Sequence, residues 1–137
     1  MFTGGGLIRK PLLDLSNLGV INCHMGKLPS YRGMDVVEWT LLEKKYSELG
    51  FSIHIMDEKV DTGNILKVYS INKRYNETLK ELRERYEPMM CKAFANTVCE
   101  YLEGKIIPKK QAYSEGRQYF AMHSRLKGIV REKLKNY

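Results

Sequence analysis

Asn22 and His24 stand two positions apart at the end of a short apolar run, within the stretch GVINCHMGKLPSYRG. In an extended segment, residues i and i+2 project to the same side, so an amide and an imidazole are offered to one place. Asp61, flanked by Thr62 and Gly63, can reach the same place from a loop between two later strands. A side-chain amide donates to a developing oxyanion. An imidazole donates or passes on a proton. A nearby carboxylate orients that imidazole, raises its pKa and organises a water for proton transfer. Together these groups suit attack on a carbonyl by an amine, the nucleophile coming from the substrate. Cys23 lies between Asn22 and His24, points away in an extended strand, and reads as a packed core thiol. A histidine near a strand end also serves as a hydrogen-bonded core residue, and the residue types leave both roles open. His54 and His123 have weaker claims, His54 because it alternates within a strand and is expected half buried.

The elements that must position these groups follow from periodicity. Gly19 to Cys23 reads as a buried-type strand ending where open α/β sheets bind ligands. Asp35 is the expected N-cap of a helix over 36–45, with Val36, Trp39, Leu41 and Leu42 at helical spacing. FSIHIM over 51–56 alternates as a strand, DEKVDTGN over 57–64 is a loop, and ILKVYSI over 65–71 is a second strand. Two strands joined by a tight loop form an antiparallel pair. Asn76 is the expected cap of a long helix ending near Gly104, with Leu79, Leu82, Tyr86, Met90, Ala93, Val98 and Tyr101 on its apolar face. Pro88 is expected to kink or split it. Residues 105–123 read as irregular or a short strand, and 125–134 as a short helix. At the other end, Met1–Thr3 reads as the end of a strand, Gly4–Gly6 as a turn, and 7–15 as a short helix or turn limited by Pro11. The glycines match neither phosphate-cradling spacing.

The chain has 137 residues, the size of one ordinary domain, and its charge is unevenly placed. Residues 1–103 carry 14 Lys/Arg and 14 Asp/Glu, whereas 104–137 carry 9 and 2, which accounts for the net charge of +7. The expected boundary falls there, with a first segment over 1–104 and a basic extension over 105–137. The extension suits an anionic partner or a solvated basic helix; without an aromatic-interleaved RNA motif or zinc finger, nucleic acid is not the expected partner. No apolar run is long enough to span a membrane, and the N-terminus lacks a signal-peptide pattern, so the expected compartment is the cytoplasm. Three cysteines without Cys-x-x-Cys spacing argue against a disulfide framework and against a metal site.

Two blocks carry a resemblance. Asn22-Cys23-His24, followed by Gly26-Lys27-Leu28-Pro29-x-Tyr31-Arg32-Gly33 and Trp39, is similar to the N-x-H-x-[SG]-x-LP-x-Y-R-G segment of folate-dependent formyltransferases. Gly50 to Asp57, with Val60-Asp61-Thr62-Gly63, resembles the G-x-[ST]-x-H-x-[MV]-D-x-x-x-D-x-G segment of the same family. Lys27 departs from it, standing where the family often has an apolar residue. The family includes phosphoribosylglycinamide, methionyl-tRNA and sugar N-formyltransferases, and formyltetrahydrofolate deformylase, which uses water as acceptor.

The resemblance implies transfer of a formyl group from 10-formyltetrahydrofolate to a primary amine of a small phosphorylated or nucleotide-linked acceptor. It assigns Asn22 and His24 to the oxyanion and Asp61 to proton transfer. It places the 57–64 loop against the pterin, with Asp57, Val60, Thr62 and Gly63 as binding residues, and Gly33 beside them. The implied fold is α/β: the C-terminal part of an open, mostly parallel Rossmann-like sheet, with an antiparallel strand pair and a long C-terminal helix. Family members carry a further N-terminal half before the position of Phe2. The expected chain therefore forms a homo-oligomer or is completed by such a half. The alternative is a catalytically incomplete formyltransferase-like remnant or subunit that acts as a binding module.

Overall fold

The computed structural model describes residues 8–135. The strand end expected at Met1–Thr3 and the turn at Gly4–Gly6 lie outside the described residues. Helix α1 (Lys10–Leu13) is a single turn with Pro11 in its first positions, where the missing N–H costs no helical bond. Strands β1 (Ile21–His24), β3 (Gly50–Ile55) and β4 (Ile65–Ser70) form one sheet in the order β1-β3-β4. Both pairings are antiparallel, with Asn22 opposite His54 and Phe51 opposite Tyr69.

The mostly parallel sheet expected from the sequence is therefore not what these strands form. The single parallel pair among the described residues is β2 (Tyr31–Gly33) with β5 (Arg117–Tyr119). For β3 and β4 the reason is connection length: the 56–64 loop returns the chain directly, whereas a parallel neighbour needs a crossover of about a dozen residues or more. Residues 25–49 separate β1 from β3, so connection length does not set the direction of that pair. Neither β2 nor β5 is foreshadowed by alternation, since three residues hold no period.

Helix α2 (Val36–Leu42) starts where expected, but Asp35 does not cap it. Its backbone is left-handed (φ 51°), and its carboxylate instead accepts from the Met122 N–H at 2.8 Å and pairs with Lys127 at 2.7 Å. Asn76 is likewise not a cap. The cap of α3 (Leu79–Leu102) is Thr78, whose hydroxyl accepts from the Glu81 N–H while the Glu81 carboxylate accepts from the Thr78 N–H. Thr78→Ala should destabilise the chain by about 1 kcal/mol, read from the urea midpoint, whereas Thr78→Ser should not.

Helix α3 continues through Pro88 without splitting. Pro88 is exposed, so the carbonyl it cannot serve faces water. Leu82, Tyr86, Met90, Ala93 and Thr97 form the buried stripe. Thr97 takes the place expected of Val98, and its hydroxyl is bonded to the Tyr69 hydroxyl at 2.9 Å. The stripe packs on Cys23, Phe51, Ile53 and Leu66. Residues after 104 join the same core: Met122, and Val130 and Leu134 from α4 (Ser124–Lys135), lie in that cluster. Among the described residues, no helix is long and apolar enough to cross a membrane.

Candidate active site

The stretch that carries Asn22 and His24 is tied down by its own turn. Strand β1 delivers the His24 ring toward β2, where Nε2 lies 2.8 Å from the Tyr31 carbonyl oxygen. A Cβ at position 26 would sit 2.7 Å from that same Nε2, so Gly26 leaves the ring its path. Ser52, fully buried on β3, donates to the Gly26 carbonyl and accepts from the Leu28 N–H, each at 2.8 Å. These bonds fix the turn between β1 and β2.

Asp61 arrives from the β3–β4 loop, also with a left-handed backbone (φ 52°). Its Oδ2 accepts from the Gly33 N–H at 2.8 Å and lies 3.3 Å from His24 Nδ1. Its Oδ1 lies 3.4 Å from His54 Nε2. That nitrogen also meets the Asn22 Nδ2 at 3.3 Å, and the other nitrogen of His54 lies 3.1 Å from the Ile55 carbonyl. Asn22, His24 and Asp61, the three residues named from the sequence, thus converge on one cluster. His54 is the member that sequence reasoning underrated. It is 1% exposed rather than half buried, and the antiparallel register with Asn22 brings it in. The histidine in the second quoted block was the available signal.

The hydrogen bonds determine the tautomers. Carbonyl oxygens only accept, so His24 carries its proton on Nε2 and His54 on Nδ1. The remaining nitrogens, His24 Nδ1 and His54 Nε2, are bare when the rings are neutral, and both flank Asp61. Burial pushes the His24 pKa below 6.5, against the opposing pull of the Asp61 charge and the Tyr31 bond. Burial alone would raise the Asp61 pKa, but its contacts with His54 and His24 and the bond from the Gly33 N–H outweigh it and hold it below 3.8. The result is an ionised Asp61 carboxylate set between two imidazole nitrogens, at 3.3 Å from His24 Nδ1 and 3.4 Å from His54 Nε2.

Asn22 Oδ1 is buried and has no hydrogen-bond partner, and Nδ2 has a second hydrogen beyond the one facing His54. An unsatisfied buried amide costs about 1–3 kcal/mol unless a ligand completes it. Cys23 faces the opposite side, in the core, where burial pushes its thiol up to about 12 and removes it as a nucleophile.

The other residues expected to bind a ligand have structural partners of their own. Asp57 accepts from the Thr62 hydroxyl at 2.7 Å and the Lys59 N–H at 3.1 Å, which closes the loop on itself. Val60 is half buried in that loop. The close approach that Gly63 permits is to Ile55, whose carbonyl oxygen would lie 1.8 Å from a Cβ there. Gly33 likewise makes room for Tyr119 and presents its N–H to Asp61. No group of three or more metal-ligating side chains occurs among the described residues.

Comparison with known proteins places this geometry. A methionyl-tRNA formyltransferase of Caldanaerobacter subterraneus subsp. tengcongensis is 30% identical over 111 residues, covering 81% of this chain and 36% of that protein. One from Anaeromyxobacter dehalogenans is 34% identical over 107 residues, covering 78% and 34%. The chain thus spans about a third of the length of the curated relatives it matches. Among solved structures, the formyltransferase PseJ from Anoxybacillus kamchatkensis, in complex with UDP-4,6-dideoxy-4-formamido-L-AltNAc and tetrahydrofolate, superposes with a TM-score of 0.74. It is 27% identical, and the match covers 85% of this chain and 60% of that one. The phosphoribosylglycinamide formyltransferase of Bacillus halodurans, 24% identical with a TM-score of 0.62, shares the fold over 71% of this chain and 50% of its own. The family described as Formyl transferase matches residues 5–98, a span that contains the whole Asn22–His24–His54–Asp61 cluster, and the chain belongs to that family.

Proposed function

We propose that this chain carries the reacting centre of a folate-dependent N-formyltransferase. It moves a formyl group from 10-formyltetrahydrofolate to a primary amine on a small phosphorylated or nucleotide-linked acceptor. The observation that carries this reading is the convergence of Asn22, His24 and Asp61, with the Asp61 carboxylate 3.3 Å from His24 Nδ1 and 3.4 Å from the His54 Nε2 that Asn22 also meets.

When bound, 10-formyltetrahydrofolate supplies an electrophilic formyl carbon. The buried, unpartnered end of the Asn22 amide fits a ligand that both donates and accepts. Its spare N–H stabilises the charge that develops on the formyl oxygen, and its Oδ1 accepts from the attacking amine and orients it. As the amine attacks, it must lose a proton. His24 Nδ1 takes that proton, with Asp61 stabilising the imidazolium at 3.3 Å, and returns it to the folate nitrogen as that nitrogen's bond to the formyl carbon breaks, so that tetrahydrofolate leaves neutral at that nitrogen. Bonds to Tyr31 and Gly33 hold the pair in register throughout. The 57–64 loop lies against the pterin, with Asp57, Val60, Thr62 and Gly63 shaping that wall and Gly33 beside it. Asp57 and Thr62 act through the bond that closes the loop.

The nucleotide-linked acceptor is read from PseJ, whose structure holds UDP-4,6-dideoxy-4-formamido-L-AltNAc and tetrahydrofolate, and the methionyl-tRNA enzymes make a tRNA the alternative acceptor. The same comparison supports a complete protein in which residues outside this chain, or a partner subunit, extend the strands described above into an open Rossmann-like sheet.

Calorimetric titration with folinic acid tests the reading. Saturable binding with one site per chain is the expected result. No saturation up to millimolar ligand would overturn it. Saturable binding without formyl transfer would leave a binding module.

A further inference from the structure

We propose that Gln111, oriented by Arg32, is a positioning residue that holds Asp61 between His24 and His54. The proposal rests on the reading of Asp61 as part of the reacting cluster, and it brings in Gln111, which lies outside both quoted motifs.

Asp61 sits in a backbone conformation that costs a non-glycine residue about 1 kcal/mol or more, so something must hold the turn. The Gln111 side chain does so. Its Nε2 donates to the Asp61 carbonyl at 3.0 Å and to the Gly63 carbonyl at 2.6 Å. Both amide hydrogens are thereby used on one turn. The amide cannot be reversed, because its Oε1 accepts from Arg32 Nε at 3.2 Å and from a second Arg32 nitrogen at 3.0 Å. A flipped amide would set oxygen against two carbonyls and NH₂ against a guanidinium.

Arg32 is 1% exposed, and no carboxylate lies within ion-pair distance of it among the described residues. Its remaining bonds go to the carbonyls of Ala112 and Tyr113, at 3.0 and 2.9 Å. A buried guanidinium whose hydrogen bonds all go to neutral oxygens, with the Tyr113 ring 5.6 Å away as its other contact, is costly unless it fixes something. Here it fixes the 111–113 segment. Arg32 also adjoins Gly33 on β2, whose N–H holds the Asp61 carboxylate. Asp61 is therefore held from one strand at both ends: its carboxylate by Gly33, and its backbone by Arg32 through Gln111.

Gln111→Glu separates this role from a simple latch. The new carboxylate keeps Arg32 as a partner but has no N–H for the Asp61 and Gly63 carbonyls. The readouts are the Gly33 amide proton and the His24 imidazole titration in the full chain, both followed by NMR. The titratable groups facing His24 are Asp61 from the loop and His54 from β3, so its midpoint reports where the Asp61 charge sits. With the chain still folded, the Gly33 amide should move upfield as its bond to Asp61 loosens. The His24 midpoint should fall by about half a pH unit or more. Turnover should drop about tenfold or more with the donor KM little changed. Gln111→Met, of similar length and without hydrogen bonds, should do the same and serves if the charged variant does not fold. An unchanged Gly33 amide and His24 midpoint in a folded variant overturns the proposal, as does unfolding of both variants, which would make Gln111 a purely structural residue. Both NMR signatures are independent of formyl transfer. If they move as expected and the wild-type chain transfers no formyl group, the formyltransferase reading fails and the positioning role stands.

Discussion

An Asp61→Asn chain is expected to lose formyl transfer by about 10²-fold or more while keeping its fold. The substitution is nearly isosteric, and the amide oxygen can still accept from the Gly33 N–H that now reaches Oδ2 at 2.8 Å. What disappears is the negative charge 3.3 Å from His24 Nδ1 and 3.4 Å from His54 Nε2. Without it, the imidazole that receives the amine's proton has no counter-ion in a site where water cannot replace one. His24→Ala removes the acceptor itself and should cost a similar factor.

The pH dependence follows from the direction of the His24 shift. Burial lowers its pKa from 6.5, so the ring is neutral and ready as a base at and above that pH. The rate should rise with pH through a midpoint below 6.5, and folding stability should share the sign. A ring that protonates less readily folded than unfolded contributes stability above 6.5, lost as pH falls through the folded value. Asp61→Asn removes a charge that raises the His24 pKa, so the variant's midpoint should lie lower still. Tetrahydrofolate release from 10-formyltetrahydrofolate, measured with a nucleotide-linked amino sugar as acceptor, reads all of these effects. Unchanged turnover in Asp61→Asn would remove Asp61 from the chemistry, and a rate that climbs on acidification would reverse the role of His24.

Gly33→Ala is expected to destabilise the chain by about 3 kcal/mol or more. Gly33 has φ +97°, and a Cβ there would lie 2.0 Å from the Tyr119 carbonyl oxygen. Backbone cannot rotate aside as a side chain can, so β2 and β5 must part at the point where Gly33 faces Tyr119. The same movement withdraws the Gly33 N–H from Asp61, so residual activity should fall along with stability. Gly128→Ala in α4 is the control: nothing lies within 4 Å of its Cβ, and helix propensity favours alanine by about 1 kcal/mol. Urea midpoints compare the two. A Gly33→Ala chain as stable as the parent would contradict the strand pairing described here.

The sequence by itself determined the elements that have a period and the motifs that have a spacing. Six residues of alternation suffice for β3, and about six turns of apolar stripe from Leu79 to Tyr101 suffice for α3, because each repeats one local geometry many times. Asn22, His24 and Asp61 were legible as a group because the i, i+2 rule and the two quoted blocks act at short range. The capping box Thr78–Glu81 was equally present in the residues, although Asn76 stood nearer to a typical start signal. Only the tertiary structure decided the direction of the β1–β3 pairing, the meeting of β2 with β5, and the partners of Asp35, Arg32 and Gln111. Each of those joins segments separated by tens of residues: Asn22 to His54, Arg32 to Gln111, Asp35 to Met122. A buried polar group takes whatever partner the packed core brings within about 3 Å, and local sequence holds no record of which distant segment that will be.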